Sequence, residues 1–197
     1  AAIGSGVEIG DVTLQSSDIS LGGLVTSVGV VSFYTATGAA TMGVGGGAGT
    51  YQLDDADVAN ISAATLVRIG QAGVQFGLIT VQPASFGAGV AGLEVNSNSG
   101  AGGVALDDVA TGTALALPTA GTLTVQAGTG GVTATQATGA NAELGTAAGG
   151  SVVISSVGAV GTAANRVQFA AGQGNVVVTV TGAGAAYLSG VNVVGLG

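Results

Sequence analysis

"AGTLTVQAGTGGVTATQATGA", residues 120–140, alternates apolar and polar residues and is broken at intervals by glycine. Leu123 and Val125 fall on one side of the alternation, and Thr122, Thr124 and Gln126 on the other. An extended strand with that pattern turns one face to a core and the other to water. "AGGSVVISSVGAVGTAANRVQFAAGQGNVVVTVTGAGA", residues 148–185, follows the same plan of β segment, Gly-containing corner and second β segment. Within it Val167 and Phe169 oppose Arg166 and Gln168. The two stretches have units of roughly 20 residues, a length suited to solenoid coils. The pattern predicts that Val125, Ile154, Val167, Phe169 and Val178 face the interior.

The same reading extends along the chain. "VEIG" 7–10, "DVTLQ" 11–15, "DISLGG" 18–23, "TLVRIGQ" 65–71, "GLITVQP" 77–83, "GLEVNSN" 92–98 and "GGVALDD" 102–108 all read as strands. Alanine-rich pieces such as "NAELGTAAGG" 141–150 are cut by glycine within a turn or two, so no amphipathic helix is expected. The class is all-β, as a sandwich or as a solenoid. Degenerate 20-residue units with glycine corners favour a parallel β-helix (β-solenoid) of roughly nine to ten rungs, a rod about 45 Å long at ~4.8 Å per strand.

Composition excludes several functions. The 197 residues include 39 Gly, 2 Pro and 4% aromatics, and only 6% are charged, against roughly a quarter in an ordinary soluble domain. Arg68 and Arg166 are the only cations against ten acids, giving a net charge of -8. Nucleic-acid binding needs clustered Lys or Arg, and an anionic membrane surface would repel this chain. The absence of cysteine excludes disulfides and thiolate metal sites. A mean hydropathy of +0.68 is spread over runs interrupted by Gly, Ser, Thr and Asn, so no transmembrane helix is expected. Three Tyr and four Phe are too few for the aromatic girdles of a membrane barrel. "AAIGSGVEIG" has neither the basic start nor the apolar run of a signal peptide. The expectation is a mature or excised segment whose export signal lies elsewhere.

Two longer stretches carry a family resemblance. "YQLDDADVANISAATLVRIGQAGVQFGLITV", residues 51–81, has an acidic turn, a run leading into "TLVRIG", a Gly-containing loop and "GLITV". "GAVGTAANRVQFAAGQGNVVVTV", residues 158–180, has a "GTAAN" segment followed by "GNVVVTV". Both resemble units of giant secreted bacterial adhesins of the filamentous-haemagglutinin type. The chain departs from that pattern at Arg166, where the family has Pro after Asn, and in loops rich in Gly, Ala and Gln. The resemblance implies a right-handed parallel β-helix within a very large exported surface protein.

Asp54, Asp55 and Asp57 place three carboxylates in four residues, and Asp107 and Asp108 form a second acidic pair. All five are candidates for Ca²⁺ ligation, since Ca²⁺ takes carboxylate and carbonyl oxygens. Neither stretch has the alternating ligands, central Gly and distal Glu of an EF-hand loop. "GGAGTYQLD" 46–54 and "GGVALDDVA" 102–110 each miss a position of the Ca²⁺-binding nonapeptide repeat. The reading adopted is solvated turns, with no metal and no cofactor. Catalysis by paired acids is disfavoured because neighbours on a strand point to opposite faces, and no Lys, His or Arg cluster stands by to assist. The T-x-T pairs at Thr35/Thr37, Thr111/Thr113, Thr122/Thr124, Thr133/Thr135 and Thr179/Thr181 are too irregularly spaced for an ice-binding ladder. Asn60-Ile61-Ser62 is a weak glycosylation match. Arg68 and Arg166 read as outward residues able to pair with an acid on a neighbouring rung.

The expectation for residues 1–197 is one continuous β-solenoid segment of a longer repeat protein. It is extracellular, at the cell surface, non-catalytic, and structural or adhesive. The alternatives are a self-assembling filament subunit and a carbohydrate-binding or polysaccharide-degrading β-helix. Expected partners are neighbouring coils, further copies end to end, and surface glycans or proteins of a host cell, with no nucleic acid and no membrane insertion. "AAIGSGVEIG" and "GVNVVGLG" lack a charged cap, so the ends are expected to continue into more coils or to contact another copy.

Overall fold

A computed structural model describes residues 10–62, 65–108, 112–136 and 141–190. "VEIG" 7–10, except its last residue, Thr111 of the threonine pairs and most of "GVNVVGLG" lie outside them. The chain is all-β with long parallel sheets. The largest sheet holds seven strands, adjacent in the order β1 (Val12–Ser16), β3 (Val30–Thr35), β7 (Leu66–Ile69), β10 (Gly92–Ser97), β13 (Thr122–Ala127), β16 (Ser151–Ser156) and β18 (Asn175–Val180). The second sheet holds β5 (Tyr51–Leu53), β4 (Met42–Val44), β8 (Ile79–Val81), β11 (Gly103–Leu106) and β14 (Gly131–Ala134). The third holds β9 (Ala84–Ser85), β12 (Leu115–Leu117) and β15 (Leu144–Thr146). Two short pairs complete the set, β2 (Val25–Thr26) with β6 (Ile61–Ser62), and β17 (Val167–Gln168) with β19 (Leu188–Ser189).

From β7 to β16 the chain visits the three sheets in turn and returns to the first one strand further along. Such a circuit keeps like beside like. Leu14, Phe33, Ile69, Val95, Val125, Ile154 and Val178 are level with one another across the seven-stranded sheet, and from Phe33 to Val178 all are buried. Met42, Ile79, Val104 and Val132 form the matching column of the second sheet, and Ala84, Leu115 and Leu144 that of the third. These columns meet in one core. Val125, Ile154, Val167, Phe169 and Val178 all point into it, each at most 4% exposed, as the alternation predicts.

Three sequence expectations need correction. "DISLGG" 18–23 is not a strand, because the Asp18 carboxylate accepts from the backbone N–H of Ile19 and of Gln52 and bends the chain there. The acidic stretch forms a short helix, α1 (Asp55–Ala59), where only a turn was expected. Several circuits are also longer than the units read from sequence, although Val12 pairs with Val31 at about that spacing. Leu93 pairs with Leu123 and Leu123 with Val152, steps of roughly 30 residues against the ~20 assumed.

The longest step, from Val31 to its partner Val67, contains an excursion. β5 lies beside β4 in parallel although only residues 45–50, "GGGAGT", connect them, where parallel neighbours ordinarily need a dozen or more residues. Glycine permits it. A Cβ on Gly43 would overlap the Gly47 carbonyl, and one on Gly49 the backbone of Met42 and Gly43. The loop therefore closes backbone against backbone, leaving β5 at the edge of the second sheet and α1 over the third.

Candidate functional site

The first acidic group is a helix cap. Asp54 is the N-cap of α1, with its carboxylate accepting from the Asp57 N–H at 2.9 Å, while the Asp57 carboxylate accepts from the Asp54 N–H at 3.3 Å. This reciprocal box satisfies two donors that a helix start leaves open. Asp57 is 4% exposed and also accepts from the Leu21 N–H. Asn60, the C-cap, donates its side-chain amide to the Leu21 carbonyl at 2.7 Å. The pair clamps residues 18–21 against the excursion, and Asn60, the glycosylation match, has its amide engaged inside the fold. Asp55 is exposed.

Replacing Asp57 by Ala leaves the Leu21 and Asp54 N–H groups without their acceptor. The expected cost is about 2 kcal/mol, a melting temperature lower by roughly 4–8 °C. Asp55→Ala serves as the exposed control and should change stability by less than about 0.5 kcal/mol. Equal effects of the two variants in thermal unfolding would refute the clamp.

The second acidic group lies at the corner between the second and third sheets. Asp107 accepts from Thr135 Oγ1 at 2.6 Å, Gln136 Nε2 at 3.2 Å and Gln82 Nε2 at 3.0 Å. Its two oxygens thus serve side chains from the turns of the chain before and after. Asp108 is fully buried and has a companion that sequence reading missed, Glu143, also fully buried. Burial pushes the Glu143 carboxyl up to about 7; the Gln168 N–H opposes the rise, and the charge of Asp108 adds to it. Glu143 stands just before β15 beside the inward Leu144, and an acid at the start of an apolar strand was its one sequence signal.

The outer face of the seven-stranded sheet carries a polar network. Arg68 pairs with Glu94 on the adjacent strand, Nε to Oε2 at 3.1 Å, the cross-rung pairing expected of an outward arginine. Burial works against the Arg68 charge, but Tyr34 and Glu94 outweigh it and raise its pKa. Glu94 Oε1 accepts from Asn96 Nδ2 at 2.9 Å and Gln126 Nε2 at 3.3 Å, and Asn98 Nδ2 donates to Gln126 Oε1 at 3.1 Å. The ion pair is partly solvated and contributes about 1 kcal/mol or less; it ties β7 to β10, and the amides tie β10 to β13.

The threonine pairs do not align. Thr122 is level with Gly92 and Ser151, and Thr124 with Glu94 and Val153, so no ladder of Thr runs across this face. An open cleft of about 490 Å³ lies beside α1, lined by Asp55, Ala59, Ser85, Thr113 and Ala116 among others. Its walls are small side chains, with no aromatic ring and no base beside Asp55. Among the described residues no group of three or more His, Cys, Asp or Glu could hold a metal ion, and no helix is long and apolar enough to cross a membrane. Asp54, Asp55 and Asp57 are thus brought together at α1, and Asp107 and Asp108 at a separate corner. No family model, no curated protein and no solved structure matches the chain.

Proposed function

We propose that the chain is a non-catalytic structural segment of a large extracellular surface protein or fibre, built as a right-handed β-solenoid in which each circuit is one coil. The observation that carries this reading is the in-register stack of seven parallel strands with unbroken apolar columns behind it. Seven strands at ~4.8 Å give a stack about 30 Å long, shorter than the nine to ten rungs expected from a 20-residue unit. The polar chemistry is turned inward on the fold: Asp54, Asp57, Asp107, Glu94 and Gln126 each bond across strands or turns. Side chains committed in this way stiffen a spacer and leave little for turnover. The resemblance of residues 51–81 and 158–180 to filamentous-haemagglutinin-type adhesins supports surface placement and a longer parent chain.

Modularity tests the solenoid. Residues 122–150 are one circuit, since Thr122 and Ser151 hold equivalent places on adjacent strands. Deleting them lets β16 follow Gly121 and stack on β10. A solenoid tolerates this as the loss of one nearest-neighbour unit, so the shortened chain should unfold cooperatively and scatter X-rays as a particle about 5 Å shorter. Deleting residues 122–136, half a circuit, should leave an unfolded chain. Equal damage from both deletions would refute coil-by-coil assembly. Antibodies to the chain should label intact producing cells, and labelling confined to lysed cells would refute surface placement.

A further inference from the structure

Asp108 follows β11, and Glu143 precedes β15 one circuit later; both are 0% exposed. Each carboxylate has one oxygen in use. Asp108 Oδ2 accepts from the Asn141 N–H at 3.2 Å, and Glu143 Oε2 from the Gln168 N–H at 2.5 Å. The other two oxygens, Asp108 Oδ1 and Glu143 Oε1, are buried with no hydrogen-bond partner among the described residues. A buried carboxylate oxygen without a donor bears its whole desolvation cost. The nearby Asp108 charge further disfavours ionisation of the buried Glu143 carboxyl.

We propose that Glu143 holds a proton in the folded chain, so that the buried acids of this corner form a pH-sensitive latch between successive circuits. A Ca²⁺ ion would take six to eight oxygens, and this corner offers two free ones, with no third acid grouped with them among the described residues. The remaining ionisable groups on the elements around the pair are Asp107, engaged by Thr135, Gln136 and Gln82, and Arg166, which lies before β17 and donates from Nη1 to the Leu188 carbonyl at 3.4 Å. Strands β12, β14 and β15 bring no charged residue.

The position of Glu143 near 7 in the fold, against 4.5 ordinarily, sets the direction of the pH effect. Between those values the folded chain holds a proton that the unfolded chain releases, so stability falls as pH rises. The contribution is complete below about 4.5 and is lost as pH rises through about 7. Because the chain has no His and no Cys, only an α-amino group would ordinarily titrate in the same window, and a variant comparison subtracts it.

The test compares melting temperatures at pH 5.5 and pH 8.5 for the chain, for Glu143→Gln and for Asp108→Asn. The unaltered chain should melt lower at the higher pH by about 5 °C or more. Glu143→Gln supplies a permanent N–H in place of the titrating proton and should flatten the difference, and Asp108→Asn removes the neighbouring charge and should reduce it. Carboxyl carbon NMR on the unaltered chain decides the matter even if a variant fails to fold: the Glu143 side-chain carboxyl should titrate near 7. Titration of Glu143 below 5, or equal melting at the two pH values, overturns the proposal. So does a rise in melting temperature with millimolar Ca²⁺ that Glu143→Gln abolishes, since that identifies a cation site.

Discussion

Val125→Asp should leave a chain that no longer unfolds cooperatively. Val125 is 0% exposed and lies level with Val95 on one side and Ile154 on the other, on an interior strand of the seven-stranded sheet. An aspartate there would place a charge among apolar side chains with neither partner nor water. Its burial costs more than about 5 kcal/mol, comparable with the whole stability of an ordinary domain, about 5–15 kcal/mol. Local escape is closed, because turning the side chain outward requires a one-residue slip that would expose the entire inward set of β13. Ser155→Asp, an exposed outward position on β16 level with Gln126 and Thr179, is the matched control and should shift stability by about 0.5 kcal/mol or less. Circular dichroism and urea unfolding distinguish the outcomes. A Val125→Asp chain with a sharp transition near that of the parent would disprove the inward column.

The period-two alternation made these columns legible, because a strand buried on one face leaves a trace in every second residue. No ambiguity of register arises where Leu123, Val125 and Ala127 alternate with Thr122, Thr124 and Gln126. Corner lengths left no such trace. Gly, Ala and Thr dominate both the turns and the outward strand positions, so the middle circuits of roughly 30 residues read as units of ~20. The excursion through β5 and α1 was hidden for another reason. A helix of five residues is too short to show a 3.6 period, and its one local signal, carboxylates at Asp54 and Asp57 in cap spacing, also fits a solvated turn. The two buried acids Asp108 and Glu143 were the least accessible, since they are 35 positions apart in the sequence and come to one corner only once successive circuits are set in register. Arg68 was easier: an outward cation on a strand needs only an adjacent outward acid, and Glu94 supplies it.

Glycine supplies the second large effect, and two glycines with nearly the same backbone separate its causes. Gly131 has φ 77° and Gly149 has φ 86°, both in the left-handed region that side chains disfavour by roughly 1–2 kcal/mol. Around Gly149 there is open space, whereas a Cβ on Gly131 would overlap the carbonyl of Ala159 in the next circuit. That carbonyl is already held, because it accepts from the Val132 N–H at 2.9 Å, and so it cannot retreat without breaking a bond between circuits. Gly149→Ala should therefore cost only its backbone term, about 1–2 kcal/mol. Gly131→Ala should cost about 3–5 kcal/mol, adding steric overlap and a weakened inter-strand bond to the same term, and should lower the melting temperature by roughly 10 °C. Thr133→Val, exposed on the same strand, controls for any change in β14. The physical content is that successive circuits at this corner touch backbone to backbone, which accounts for glycine where a surface loop would accept almost any residue. Equal losses at Gly131 and Gly149 in urea unfolding would show that conformation alone selects these glycines and that the circuits are not in contact there.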